Sequence, residues 1–201
     1  VIALMTIAFL CAVAGFWATA KAADKGTPKA QPSAFGDMQP TKTHAGCGVG
    51  AGLGWIDANL DVPGPVTVSS VGSRVHGRAL CDWQYQAFII GLFVDYDWQF
   101  GDLKTIGVKN EATVGGRLGV AVSQSAFIYG HGSWMRADGS FGHVDGLGYG
   151  LGTELRLPGG APFSLDFRLT RKVYDNVLGS GLDVDATEAK ATLVYKLNFF
   201  K

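Results

Sequence analysis

From His44 onward, apolar residues alternate with small or polar ones at a period of two. Gly46, Gly48, Gly50, Gly52 and Gly54 interleave with Cys47, Val49, Ala51, Leu53 and Trp55. Successive side chains of a strand point to opposite faces, so this pattern sends apolar groups to one face and leaves the other bare. Further on, Leu147, Tyr149, Leu151, Thr153 and Leu155 alternate with Gly148, Gly150, Gly152, Glu154 and Arg156. Phe163, Leu165, Phe167 and Leu169 alternate likewise with Ser164, Asp166 and Arg168. One face is bulky and apolar; the other is tiny or charged. A soluble sandwich, the competing reading, would turn the apolar face inward and the charged face to water. Glycine decides against it, because a solvated face gains nothing from a row of glycines, whereas the crowded lumen of a narrow barrel needs them.

Strand-like runs fall at 47–57, 74–85, 87–99, 111–122, 126–137, 146–157, 163–174 and 187–200. Each reaches the roughly 9–11 residues a tilted strand needs to cross a bilayer. The connections alternate in length. Gln84 to Ala87, Ser123-Gln124-Ser125 and Pro158-Gly159-Gly160-Ala161-Pro162 are tight, while 58–73, 100–110, 138–145 and 175–186 are longer and more polar. Short periplasmic turns and long external loops are the habit of outer-membrane barrels. The longest apolar stretch beyond residue 22 is Ala87–Val94, far short of the roughly 18 residues a spanning helix requires. Lipid offers no partner to an open strand edge, so the sheet must close. The expected fold is all-β, an eight-stranded antiparallel transmembrane β-barrel over residues 46–201.

Upstream the pattern differs. Residues 1–22 are apolar and end in Ala20-Lys21-Ala22, the small-x-small ending of a secretory signal peptide, with cleavage expected after Ala22. A permanent anchor helix is the alternative. Leu10 precedes Cys11, which does not support a lipoprotein attachment box. Residues 23–45 carry Pro and Lys without periodicity and are expected to form a flexible linker.

Composition narrows the function. Lys and Arg number 17, as do Asp and Glu, and no polybasic run occurs, so nucleic acid is not an expected partner. The 29 glycines argue against a helical bundle. The face alternation places Arg117, Glu154, Arg156, Asp166, Arg168 and Lys196 in the lumen. These could line a selective pore, or fill a narrow barrel and close it; an eight-stranded interior is just wide enough to be filled by side chains, which favours closure, with Arg117 and Glu154 expected to meet across the lumen in the room left by Gly115, Gly119, Gly148, Gly150 and Gly152.

If the first hairpin is symmetric about Gly64, residues whose numbers sum to 128 face each other, and Cys47 and Cys81 are such a pair. An oxidising periplasm would bridge them; a register shifted by 58–73 would leave them free. The pair His131 and Ser133, with Asp145 or Glu154 as orienter, resembles the base and nucleophile of outer-membrane lipid A deacylases. That pattern continues with Asn-Ala, where this chain has Trp134-Met135, and no catalytic residue is assigned. His44, His76 and His143 are read as linker or loop residues, solvated rather than metal-binding. No phosphate loop or dinucleotide fingerprint occurs, so neither metal nor cofactor is expected. Trp55, Trp83, Tyr85, Trp98, Tyr129, Trp134, Tyr174, Tyr195, Phe199 and Phe200 fall mostly toward strand ends, as aromatic girdles at a bilayer interface do.

Several segments also carry a family resemblance. Gly91-Leu92-Phe93-Val94-Asp95-Tyr96-Asp97-Trp98, Gly116-Arg117-Leu118-Gly119-Val120-Ala121, Phe127-Ile128-Tyr129-Gly130, Gly148-Tyr149-Gly150-Leu151-Gly152-Thr153-Glu154 and Tyr195-Lys196-Leu197-Asn198-Phe199-Phe200 resemble the small surface-antigen proteins of the OmpA-like, opacity-type porin superfamily. The resemblance covers about residues 46–200. It implies a place in the cell outer membrane, contact with outer-membrane lipid and lipopolysaccharide, and a host or cell-surface partner reached through the loops. It also implies a barrel-insertion signal at Tyr195, Leu197, Phe199 and Phe200, read by the barrel-assembly machinery. The family has no shared catalytic residues to carry over. The expected function is a non-catalytic barrel serving envelope integrity or surface interactions; the alternative is a narrow channel for small solutes.

Overall fold

The alternation of large apolar and small or charged residues resolves into eight strands in a computed structural model that describes residues 44–61, 67–101, 108–139, 142–159, 161–177 and 182–197. They are β1 (Gly46–Asp61), β2 (Thr67–Tyr85), β3 (Phe88–Gly101), β4 (Val108–Ala121), β5 (Ala126–Gly139), β6 (Gly142–Arg156), β7 (Phe163–Val177) and β8 (Leu182–Leu197). Each is antiparallel to the next, and β8 pairs with β1, closing the sheet into a barrel. The expected signal peptide, most of the expected linker, Phe199 and Phe200 lie outside the described residues.

The tight connections sit where the sequence placed them. β2 and β3 are joined by Gln86 and Ala87 alone, with Gln86 at a φ of 54°. The other end needs a correction. β1 runs on to Asp61 and β2 already begins at Thr67, so the connection expected at 58–73 shrinks to 62–66. Those at 100–110, 138–145 and 175–186 shrink to 102–107, 140–141 and 178–181. The reason is physical. Above the apolar belt the ladder hydrogen bonds persist, but the outward side chains become polar, as at Asp57, Arg136, Asp145 and Asp185. Hydrophobic alternation then no longer marks the strand.

The pairing fixes the geometry. β1 and β2 pair from Gly46↔Asp82 to Asp61↔Thr67, the register symmetric about Gly64. Stepping between paired residues from Gly50, the path runs through Arg78, Asp95, Thr113, Met135, Gly146, Tyr174 and Val184 and returns to β1 at Leu60, ten residues above its start. A stagger of ten residues over eight strands tilts the strands about 40° from the barrel axis, for a rise of about 3.3 Å and a strand spacing of about 4.8 Å. Residues at equal height on adjacent strands are therefore offset from their paired positions by about 1.25 residues.

On the outer wall of β3, Phe88, Ile90, Leu92, Val94, Tyr96 and Trp98 are all exposed. At the tilt above they cover about 25 Å along the axis, the height of a barrel's hydrocarbon-facing belt. Trp83, Tyr85, Phe88, Phe163 and Tyr195 ring its turn end, and Tyr96, Trp98 and Trp134 its loop end. Tyr129 and Tyr174, expected with the girdles, instead lie buried inside. Their odd and even positions on β5 and β7 give them the inward face.

The glycine rows of β1 and β6 face inward, and the long side chains of neighbouring strands lie over them. A Cβ on Gly52 would stand 2.7 Å from the ring of His76 and 2.8 Å from the backbone of Thr192. One on Gly148 would stand 2.5 Å from Met135 Cε. Small apolar clusters cap the interior: Ile89, Ala121, Phe127 and Tyr129 toward the turns, and Ile56, Met135, Ala137, Tyr174 and Ala186 toward the loops.

Candidate functional site

Between those caps the lumen is charged. Among the described residues it buries seven basic side chains (Arg74, Arg78, Arg117, Arg168, Lys172, Lys190 and Lys196) and seven acidic ones (Asp82, Asp95, Asp97, Glu111, Glu154, Asp166 and Glu188). The count balances, and it must nearly do so, because an ion taken out of water costs several kcal/mol unless a partner and hydrogen bonds compensate.

Nearest the turns, Arg117 is the hub. Its Nε donates to Asp82 Oδ1 at 2.8 Å, and its Nη2 to Asp82 Oδ2 at 2.6 Å and to Glu154 Oε2 at 2.9 Å. Its Nη1 reaches Asp166 Oδ2 at 3.1 Å, and the guanidinium lies 5.0 Å from the ring centroids of both Phe127 and Tyr129. Lys196 Nζ bridges Asp82 at 2.8 Å and Glu154 at 2.9 Å. Ser164 Oγ donates to Glu154 at 2.9 Å, and the Tyr129 hydroxyl to Asp166 at 2.6 Å.

Asp95 governs the middle tier. It accepts Arg78 Nε at 2.7 Å and Arg78 Nη2 at 3.1 Å, and it also pairs with Arg168. Arg78 pairs in addition with Asp166, tying this tier to the one below. The two arginines flank the Phe93 ring at 5.7 and 4.5 Å. Toward the loops, Glu111 accepts Lys172 Nζ and the Tyr174 hydroxyl, each at 2.5 Å. Glu188 holds Arg74 at 2.7 Å and Lys172 at 3.0 Å, and Lys190 holds Asp97 at 2.7 Å. Lys190 also stands 3.7 Å from Asp95, which joins this tier to the one below, so that the described charges form one continuous column of ion pairs.

Of the six lumen charges read from the sequence, the structure brings together Arg117, Glu154, Asp166, Arg168 and Lys196. Arg156 shares their face but sits half-buried at the turn end and, among the described residues, forms no ion pair. Nine further members were not singled out: Arg74, Arg78, Asp82, Asp95, Asp97, Glu111, Lys172, Glu188 and Lys190. A signal for them was present. Arg74, His76, Arg78, Leu80 and Asp82 alternate with Val75, Gly77, Ala79 and Cys81, the same two-face pattern with charges in place of glycine.

Cys47 and Cys81 are directly paired, their Cα atoms 3.9 Å apart, and joined by a disulfide at the open end of the first hairpin, which is the turn end of the barrel. Tyr195 points outward with its ring centroid 5.2 Å from that of Phe163, and Leu197 pairs with Cys47.

The His131–Ser133 constellation is not assembled. Both residues lie on the inward face of β5, where His131 Nε2 stands 3.4 Å from Thr170 Oγ1 and Ser133 Oγ donates to Gly148 O at 3.4 Å. Asp145 is on the outer wall, clasped by Arg136 at 2.7 and 3.0 Å. Glu154 belongs to the Arg117 hub.

The other histidines also differ from the linker or loop placement. His76 is buried on β2, with Nε2 2.8 Å from Thr192 Oγ1, because β2 is paired throughout this stretch and turns even-numbered residues inward. His44 closes the turn end, buried against the Phe127 ring at 5.1 Å, its backbone N–H donating to Gln84 Oε1 at 3.0 Å. Burial pushes its imidazole pKa down. His143 is exposed on β6, not in a loop, and its Nδ1 meets Asp138 Oδ1 at 2.5 Å. No group of three or more His, Cys, Asp or Glu among the described residues is arranged to hold a metal ion.

Among the described residues, twenty-five large apolar side chains stand exposed on this barrel while fourteen charged ones are buried within it. That inverts the distribution of a water-soluble protein, and so broad an apolar surface is stable only against hydrocarbon. The fold and its interior thus define a small eight-stranded transmembrane β-barrel.

No protein-family model matches the chain, and no curated protein matches it in sequence. Among solved structures it is similar to Ail, the attachment invasion locus protein of Yersinia pestis, at 9% identity and a TM-score of 0.44, covering 76% of this chain and 100% of that one. It is also similar to Neisserial surface protein A, at 14% identity and a TM-score of 0.48, covering 74% of this chain and 97% of that one. A third similarity is to a de novo designed transmembrane β-barrel, at 13% identity and a TM-score of 0.39, covering 78% and 100%.

Proposed function

We propose that this protein is a non-catalytic barrel of the bacterial outer membrane, closed to solutes at rest, which contributes to envelope integrity and presents its loops to partners at the cell surface. The observation that carries this reading is the filled lumen, fourteen buried charges cross-linked in balanced pairs between two apolar caps. A conducting pore needs a continuous watery path, and here the space is taken by side chains that hold one another. Outer-membrane lipid and lipopolysaccharide would surround the apolar belt, and the barrel-assembly machinery would read the last strand at Tyr195, Leu197, Phe199 and Phe200. Surface partners, of a host or a neighbouring cell, would meet the connections at 62–66, 102–107, 140–141 and 178–181.

The reading is tested in planar bilayers, where the purified barrel is expected to show little steady conductance. Large, stable single-channel steps would overturn closure in favour of a channel for small solutes. Incubation with lipid A tests the non-catalytic half. No fatty-acid release is expected, because His131 and Ser133 face the filled interior rather than the lipid.

A further inference from the structure

The apolar belt is not of even height. Phe100 on β3 and Val71 on β2 are exposed on the outer wall, at 53% and 52% of their full surface. Allowing for the stagger of the barrel, Phe100 stands within about one residue of the height of Asp57 on β1, Asn110 on β4, Asp145 on β6 and Asp185 on β8. Val71 stands about one residue higher. At this level the outward wall of β1, β4, β5, β6 and β8 is polar, with Arg136 and Asp138 completing the series on β5. On β7, Val173 sits half-buried between Arg171 and Asp185, themselves an ion pair at 2.8 Å. Among the residues whose side chains are described, only the β2–β3 hairpin carries large exposed apolar groups above the ring of charges. They continue directly from Val75 and Trp98 below, which pair with each other across the hairpin, interrupted by Ser73 alone.

We infer that the β2–β3 hairpin is a taller lipid-contact surface than the rest of the barrel, and that acyl chains of the surrounding membrane cover Val71 and Phe100. The occupant follows from continuity. The patch is the upward extension of a wall already facing hydrocarbon, and the same chains reach it by thickening or tilting locally by two residues along the strand, about 5 Å of height at the tilt derived above. The charged rim elsewhere at that height holds headgroups and water. The barrel therefore has a preferred lipid side, on which the membrane edge is raised. This rests on the membrane-spanning reading.

The experiment uses the unmodified chain in nanodiscs of dimyristoyl phosphatidylcholine, followed by NMR with two relaxation agents, a water-soluble gadolinium chelate and a lipid carrying a nitroxide on its acyl chain. The amide signals of Val71 and Phe100 are expected to lose intensity with the lipid nitroxide and to resist the chelate. Those of Asp57, Asp145 and Asp185, at equal height, are expected to do the reverse. Equal loss of all five to the chelate would overturn the inference. Resistance of Val71 and Phe100 to both agents would overturn it too, in favour of a second copy of the chain packed over the patch. Leu92 and Leu151, at mid-height, are the control: their loss to the chelate would remove the membrane-spanning reading and this inference together.

Discussion

Glu154 touches Arg117, Lys196 and Ser164 at once, so its loss is felt by two buried cations. Breaking a buried pair by removing one partner costs about 3–5 kcal/mol. Glu154→Ala should therefore lower the unfolding midpoint in urea sharply. Asp145→Ala breaks the Arg136 pair on the outer wall, where both side chains are about half exposed, and should cost under about 1 kcal/mol. Equal losses in the two variants would remove the argument that the lumen network holds the barrel. Glycines permit the same kind of contrast. A Cβ on Gly152 would lie 2.3 Å from the ring of Tyr129, which its bond to Asp166 holds in place, whereas Gly132 has nothing within 4 Å of such an atom. Gly152→Ala should lose about 1–3 kcal/mol by overpacking, and Gly132→Ala should be close to neutral in the same urea titration. The inward or outward sense of each residue was legible from its parity. The meeting of Arg117 with Glu154 could be expected from the same parity and the room left by neighbouring glycines, and the two lie 2.9 Å apart; its further carboxylates, Asp82 on β2 and Asp166 on β7, were not legible.

At the scale of the element, β1 is the unusual strand, with five inward glycines and one covalent tie. Glycine pays more conformational entropy on folding than any other residue, so this strand gains most from a constraint that limits the unfolded chain. The Cys47–Cys81 bridge spans 34 residues, for which chain entropy predicts a stabilisation of up to about 4 kcal/mol. Replacing both cysteines by serine should lower the unfolding midpoint accordingly. Unreduced protein should resist a thiol reagent at both positions; labelling at Cys47 and Cys81 would sink the bridge. The pairing of these two residues followed beforehand only on the premise that the hairpin is symmetric about Gly64, a premise the observed register meets. The loop ends of the strands could not, because the ladder outlasts the hydrophobic alternation once the outer wall meets water, as Asp57 and Asn110 show.

For the whole molecule, closure to solutes has a further consequence besides the low conductance already expected. A barrel locked by its interior should stay folded in detergent at room temperature and migrate differently on a gel after boiling; identical migration before and after heating would argue against a stably locked barrel. What the sequence determined by itself was local: a period of two, which through the pleat assigns each side chain a face, and turn residues that join one strand to the next. From these came eight strands, a lipid-facing wall, an inward row of glycines and charges, and, if the first hairpin was symmetric, its register. The tertiary structure alone decided the ten-residue stagger, and with it which charges share a height. That stagger is a property of the closed sheet, accumulated over eight pairings, and no single hairpin contains it. For this reason Arg117 could be placed in the lumen, facing Glu154, from its neighbours in the chain, while the rest of its ring, Asp82 and Asp166, and the extra height of the wall at Val71 and Phe100, appeared only once β8 had met β1.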